Sequence, residues 1–252
     1  MTELEMYGIA VVGSLVAGGI NTFAGNGSAI TLTILTEVLG LPPNVANGTN
    51  RIGVFTQCTA TSVVFYKNGK LKVARNKKYI IPIFVGAIIG GLLAINVSNE
   101  QFRAVFKFMM VFMLIAVLVK PKRWLRETDT DFKPKWYVYF PLLLALGFYG
   151  GFIQMGMGIF FIIIMVLGMR MNIMESNALK GFVIGLYTLV LIVVFHFQGM
   201  IDWKIGAIMA VGQTTGGYLA ARFGSKSKKA DQTAYYVLIV VLVLAVVKLF
   251  FT

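Results

Sequence analysis

Ten apolar runs, separated by short polar breaks, dominate this chain of 252 residues. They fall at 6–24, 28–39, 51–66, 79–97, 102–119, 136–154, 157–168, 178–197, 204–221 and 232–250. Most approach the roughly 20 residues that an α-helix needs to span about 30 Å of hydrocarbon. Only 13% of the residues are charged, about half of the roughly 25% that is usual in soluble domains. The sequence therefore predicts an all-α polytopic membrane protein of about ten hydrophobic helical segments.

Two of the runs, 28–39 and 157–168, are too short to cross a bilayer as helices, because about 12 residues reach only about 18 Å. Each follows a Gly-x-Gly break, at Gly25-Asn26-Gly27 and Gly156-Met157-Gly158. Short, glycine-interrupted segments at matching places in two halves of a chain indicate the binding site of a transporter. The pattern leaves open whether these runs cross the membrane or form re-entrant hairpins with the runs before them.

The second half of the chain repeats features of the first half in the same order. The breaks match, Arg51 matches Lys180, 69–73 matches 199–203, and Gly86, Gly90 and Gly91 match Gly212, Gly216 and Gly217. Each half holds five runs, and an odd number reverses the second half, so we predict two inverted-topology repeats. The predicted units are a first membrane repeat at 1–120, a cytoplasmic linker at 121–135 and a second membrane repeat at 136–252.

Basic residues concentrate in three of the breaks, at 67–78, 120–135 and 222–229, which lie on one side if every run crosses. The positive-inside rule makes that side cytoplasmic and predicts both termini outside the cytoplasm. The net charge of +13 does not indicate a nucleic-acid partner, because these residues sit between apolar runs and form no single basic face.

Catalytic and metal-binding patterns are scarce in the sequence. The chain has one cysteine, Cys58, and one histidine, His196, which excludes sites built from several of either residue. It carries neither an HExxH nor a Gly-x-Ser-x-Gly motif. We therefore expect no cofactor, no metal and no enzymatic activity.

Short motifs in both halves resemble the sulfite exporter TauE/SafE family. In the first half they are Ala24-Gly25-Asn26-Gly27-Ser28, Leu41-Pro42-Pro43 and Ala46-Asn47-Gly48-Thr49-Asn50-Arg51. In the second half they are Tyr149-Gly150-Gly151-Phe152, Asn177 to Lys180 and Gly199 to Trp203. The resemblance implies a transporter of the bacterial inner membrane, usually an exporter, for sulfur-containing anions such as sulfite or organosulfonates.

Arg51 and Lys180 are the basic residues that begin the third run of each half. An inverted two-fold arrangement predicts that these helix beginnings converge on one central cavity, where helix N-termini add free N–H groups. A cation inside a membrane is costly and is by default a functional-site hypothesis, and a guanidinium or ammonium suits an oxyanion. The alternative is that both side chains extend from helix ends to the lipid headgroups.

Other candidates have two interpretations each. Gly25, Gly27, Gly156 and Gly158 either turn backbone N–H groups toward the substrate or allow tight turns and close packing. Asn21, Asn50, Gln154 and Asn177 either bind the anion or form hydrogen bonds between helices. Glu37, the one acid inside an apolar run, either carries a coupling proton as a buried carboxylate or reaches the membrane interface. The glycines at 86, 90 and 91 and at 212, 216 and 217 follow the small-xxx-small pattern of helix packing.

These features predict a secondary transporter that moves a small anion by alternating access. A passive anion channel that uses the same cations is the alternative. The expected partners are the anion and the lipid bilayer, and the sequence leaves homo-oligomerisation open.

Overall fold

The computed structural model describes residues 2–95, 128–129, 131–132, 134–152 and 154–224, with single positions at 232, 236, 239 and 240. The predicted runs at 102–119 and 232–250, and most of the predicted linker, lie outside the described residues. Within the described ranges, every regular element is helical.

The first half contains α1 (Glu3–Phe23), α2 (Gly27–Thr33) with a π-helical turn at Ile34–Val38, α3 (Pro43–Lys67) and α4 (Val73–Ala94). The second contains α5 (Trp136–Phe152), α6 (Met157–Ile163) with a π-helical turn at Ile164–Gly168, α7 (Ile173–Phe197) and α8 (Trp203–Gly224). Among them α1, α4 and α7 are long and apolar enough to cross a membrane, and the two short segments and α5 are shorter apolar helices.

The helices repeat with the spacing that the sequence predicts. Helix α2 begins at Gly27 and α6 at Met157, and the same spacing separates the beginnings of α3 and α7, at Pro43 and Ile173. The π-helical turns keep this spacing too. The two halves therefore share one chain path, from a broken helix pair to a long helix and a final helix.

Helices α3 and α7 lie antiparallel. Near one end of the pair Gly181 faces Thr61, and near the other Phe195 lies under Arg51. Around them α1 packs on α8, and α5 packs on α4. When the two halves are exchanged, the contact of α1 with α8 becomes the contact of α5 with α4, as in a two-fold arrangement.

Glycines bring the outer helix pairs close together. A Cβ on Gly86 or Gly90 of α4 would overlap backbone atoms of α5, and a Cβ on Gly212 or Gly216 of α8 would overlap backbone atoms of α1. The prediction that these glycines serve helix packing is confirmed.

Helices α3 and α7 begin earlier than the apolar runs predict. Helix α3 begins at Pro43, whose fixed φ suits the first turn, and α7 begins after Asn172, whose side chain caps it by accepting from Glu175 N. The first two turns of α3 were missed because their asparagines and threonine are polar, although most of them are buried between helices. Arg51 consequently lies well inside α3, in its third turn, not at its beginning.

Candidate functional site

Arg51 is fully buried in α3, and its guanidinium crosses to the other half of the protein. Its Nη2 donates a 2.8 Å hydrogen bond to the carbonyl oxygen of Gly151, the penultimate residue of α5. Its Cζ lies 4.5 Å from the ring centroid of Phe195. Its Nε and Nη1 have no hydrogen-bond partner among the described residues. No carboxylate pairs with Arg51 in the part of the chain that the structure describes.

Two further donors near Arg51 lack a protein partner. The hydroxyl of Tyr187 interacts electrostatically with Arg51 and lies 3.0 Å from the position that a Cβ on Gly150 would take. The Nε2 of Gln154 is also unpartnered, while its Oε1 accepts a 3.1 Å hydrogen bond from Asn50, the neighbour of Arg51. Arg51, Tyr187 and Gln154 therefore each carry a buried N–H or O–H donor that no described group accepts, and such donors suit an anion. The other buried polar atoms without a partner are Asn26 Oδ1, Asn47 Oδ1, Ser62 Oγ and Thr188 Oγ1.

Lys180 is nearly as buried as Arg51, but its ammonium is fully satisfied. It donates to the carbonyl oxygens of Asn21 at 2.7 Å and Thr22 at 3.2 Å, and to Oδ1 of Asn177 at 2.6 Å. Asn177 in turn donates to the carbonyl oxygen of Phe23. Lys180 and Asn177 together bind the last carbonyl groups of α1, where the helix dipole favours a cation.

Arg51 and Lys180 make equivalent contacts toward opposite ends of the α3–α7 pair. Each crosses from a central helix to the terminal carbonyls of the other half's broken helix, and Asn21 and Gly151 occupy matching positions of the repeat. The prediction that both cations share one cavity at converging helix beginnings is wrong, because α3 and α7 are antiparallel. Arg51 lies about 12 Å from the beginning of α3 and Lys180 about 10 Å from that of α7, at 1.5 Å per residue, so they sit toward opposite ends.

The predicted amide residues lie at the contacts between helices. Asn21 donates to Gln57, and Gln213 donates to Asn50, which donates to Gln154. Asn21, Asn50 and Asn177 therefore form the interhelical hydrogen bonds that the sequence offered as their alternative role. Gln154, which adopts a positive φ of 61°, keeps an unpartnered donor.

The two glycine breaks touch each other at the middle of the structure. A Cβ on Gly25, whose φ is +81°, would overlap the backbone of Gly158, and a Cβ on Gly158 would overlap Gly25. Gly27 packs against α1, and Gly156 adopts a φ of 74° as the N-cap of α6. Gly25, Gly27 and Gly158 therefore allow close packing, which is one of the two predicted roles. Substrate contact by the N–H groups of the four glycines stays a prediction.

Glu37 is exposed and accepts a hydrogen bond from the neighbouring Thr36. The prediction of a buried carboxylate is wrong at this position, because the π-helical turn places Glu37 on the outer face of its segment. The structure thus favours the interfacial alternative over proton coupling.

Comparison with known proteins agrees with the motifs and the fold. The family model described as "Sulfite exporter TauE/SafE" matches residues 10–249. The chain belongs to the TauE/SafE family. Like the other members it is a multi-pass membrane transporter. No solved structure matches it.

Several curated relatives carry names of the same kind. The chain is 27% identical to "Probable membrane transporter protein ORF9" of Sinorhizobium, over 88% of this chain and 85% of the relative. It is 28% identical to a "Probable membrane transporter protein" of Haemophilus influenzae, over 87% and 85%. It is 25% identical to "Probable membrane transporter protein YfcA" of Escherichia coli K12, over 90% and 82%.

An ion cluster at one end of the structure escaped the sequence analysis. Glu175, buried in the first turn of α7, accepts from Lys72 Nζ at 2.7 Å, from Arg75 Nη2 and from Thr128 Oγ1 at 3.0 Å. The basic break at 67–78 therefore lies on the same side as the linker residue Thr128, as predicted. At the opposite end, Lys204 pairs with Glu3 at 3.1 Å and the N–H of Asp202 donates to Thr49.

Tyr187 also escaped the sequence analysis, because an aromatic residue in an apolar run is usually a packing residue. The internal repeat offered one signal. The alignment that matches Gly69 with Gly199 also matches Gln57, a polar residue inside its run, with Tyr187.

Proposed function

We propose that this transporter exports a small oxyanion and that Arg51 is the main ligand of that anion. The observation that carries the proposal is the fully buried guanidinium whose Nε and Nη1 have no partner within the described part of the chain. Leaving buried donors unsatisfied costs about 1–3 kcal/mol each, and more when the group is charged. A bound oxyanion offsets this cost, because its oxygens accept hydrogen bonds from the planar guanidinium.

Tyr187 and Gln154 complete the proposed site. Their unpartnered O–H and N–H groups donate to the oxygens that Arg51 does not reach. A sulfonate or sulfite group presents three oxygens around one sulfur and suits donors from several directions. The name of the family and the resemblance of its motifs support sulfur-containing anions as the substrate class.

Lys180 has a different role in this proposal. Its three ammonium hydrogens are matched by three protein oxygens, so it holds the end of α1 and leaves the anion to Arg51.

The proposed mechanism is alternating access. Two halves of inverted topology, joined at the antiparallel pair α3 and α7, rock about the contact between the breaks. With the basic end on the cytoplasmic side of a bacterial inner membrane, the inward-negative potential favours export of the anion by about 2.3 kcal/mol per charge for every 100 mV.

Anion binding to purified protein tests the site. We expect a screen of sulfite, thiosulfate, sulfoacetate, taurine and sulfate to find a ligand. We expect Arg51→Ala to weaken its binding at least about tenfold, since a hydrogen bond to a charged group contributes about 1.5–3 kcal/mol. Arg51→Lys, which keeps the charge, should retain part of the affinity. Lys77→Ala removes an exposed cation and is the control.

Wild-type affinity in both Arg51 variants would overturn the proposed site, provided that they elute as monodisperse protein. Flux into proteoliposomes separates the transporter from the passive channel. Accumulation against the electrochemical gradient, or uptake of labelled anion that is accelerated by unlabelled anion inside the vesicles, supports the transporter, and downhill flux without such exchange supports the channel.

A further inference from the structure

Lys180 occupies a place that resembles a binding site for a metal cation. Its Nζ lies among three oxygens, two main-chain carbonyls at the end of a broken helix and one side-chain amide oxygen. Secondary transporters bind their coupling cations with this set of ligands, carbonyls of unwound backbone and of half-helix C-termini. Here the cation is covalently attached to the protein.

Three oxygens stabilise the charge of Lys180. Lys180 is 3% exposed, and no carboxylate approaches it in the ranges that the structure describes. An ammonium uses all three of its hydrogens in this arrangement, whereas a neutral amine would lose one of the three contacts. The protonation state of Lys180 and the attachment of α1 to α7 are therefore linked.

Arginine and lysine make the two equivalent contacts, and the difference between them is chemical. A guanidinium stays protonated in proteins, whereas a buried lysine gives up its proton readily. Arg51 thus keeps a constant charge for an anion, and Lys180 is the one of the pair that can change its charge.

We propose that Lys180 is the proton-coupling group of this transporter: protonated, it holds the end of α1 against α7, and deprotonated, it releases it. This inference rests on the proposed transport function. In the release step an Nζ–H bond breaks, its electron pair stays on Nζ, and the proton passes to water on one side of the membrane. With the anion bound the halves rearrange, Lys180 takes a proton from water on the other side, the anion leaves, and the empty protein returns with Lys180 protonated.

Several titratable groups on the elements around Lys180 have contacts elsewhere. From α3, Cys58 interacts electrostatically with it, and α1 presents only carbonyl oxygens. The charged and titratable groups on the other elements that pack against α7 have other contacts: Arg75 with Glu175, Tyr79 with Tyr139, Tyr149 with Met155 and, on α7 itself, Tyr187 with Arg51.

Transport in proteoliposomes tests the proposal with methanesulfonate, which stays a monoanion throughout the neutral range. In the wild-type protein we expect an imposed pH gradient, at clamped potential, to drive accumulation. Lys180→Arg keeps the charge and holds α1 permanently, so gradient-driven accumulation and exchange of internal for external methanesulfonate should both stop, while binding of methanesulfonate, which the proposed function assigns to Arg51, should continue. Lys204→Arg, at an exposed lysine of α8, should behave as wild type.

Gradient-driven accumulation by Lys180→Arg would overturn the proposal, and so would wild-type accumulation that ignores the pH gradient. A second readout does not depend on transport. In the NMR spectrum of protein with isotope-labelled lysines, the Lys180 resonance is the one that Lys180→Arg removes. This resonance should titrate in the same pH range in which the amides of α1 become accessible to hydrogen exchange. A Lys180 that stays charged throughout that range would also overturn it. Absence of methanesulfonate binding and exchange in the wild-type protein would count against the proposed function, and the titration would still decide the role of Lys180.

Discussion

The guanidinium of Arg51 donates a 2.8 Å hydrogen bond to the carbonyl oxygen of Gly151, across 100 positions of sequence. The contact joins the central helix of the first half to the broken helix of the second. Lys180 makes the corresponding contact with Asn21 at 2.7 Å. The two side chains differ in the hydrogen-bond donors that are left over. Arg51 has two nitrogens without a partner among the described residues, whereas the ammonium of Lys180 has an acceptor for each of its hydrogens.

Tyr187→Phe should separate binding from stability. The hydroxyl has no protein partner, so its removal should change the free energy of unfolding by less than about 0.5 kcal/mol or raise it. Anion affinity should fall about tenfold, because a hydrogen bond to a charged ligand is lost. Thermal unfolding in detergent and isothermal calorimetry measure the two effects.

Tyr149→Phe is the matched control for this variant. The Tyr149 hydroxyl donates a 2.9 Å hydrogen bond to the carbonyl oxygen of Met155, so this change should destabilise the fold by about 1 kcal/mol and leave affinity unchanged. The same result for Tyr187→Phe would remove Tyr187 from the proposed site.

Gln154→Glu should weaken anion binding by electrostatic repulsion. The change keeps an oxygen that can accept from Asn50 and replaces the unpartnered Nε2 by a second carboxylate oxygen near Arg51. Because the new charge competes with the anion, affinity should fall at least about tenfold, the ratio that about 1.4 kcal/mol produces. Gln154→Met, which removes the donor without adding a charge, should cause a smaller loss. Equal losses in the two variants would contradict the electrostatic interpretation.

Gly158→Ala should destabilise the centre of the protein. The new methyl group would overlap the backbone of Gly25, and overpacking of this kind typically costs about 1–3 kcal/mol. Gly8→Ala in α1 meets open space and should be neutral or raise the melting temperature, since alanine is the better helix former. Comparable melting temperatures for the two variants would show that the contact between the breaks is loose.

Glu175→Gln should weaken the cluster that ties α7 to the α3–α4 connection. Glu175 is buried and its partners Lys72 and Arg75 are partly exposed, so we expect a loss of about 1–3 kcal/mol, below the roughly 3–5 kcal/mol typical of fully buried pairs. Lys204→Ala breaks an exposed pair with Glu3 and should cost less than about 1 kcal/mol. Urea or thermal unfolding of both variants decides whether the Glu175 cluster contributes to stability.

The sequence by itself determined the membrane location of the fold and indicated its duplication and the candidate positions in each half. Apolar runs report membrane segments directly, because a bilayer requires long apolar surfaces. The glycine breaks and the residues Arg51 and Lys180 stood out because each recurs at the same place in both halves.

The tertiary structure alone decided which of these groups has hydrogen-bond partners among the described residues. Arg51 and Lys180 are similar in sequence, yet the partners that satisfy Lys180 come mostly from the far end of the chain, in α1. Hydropathy also hid the first two turns of α3, because a buried polar residue such as Asn50, whose amide bonds to Gln154 and Gln213, looks like a loop residue when read alone. A hydrogen bond depends on position in space, so the unpartnered donors of Arg51, Tyr187 and Gln154 become visible only once the helices are packed.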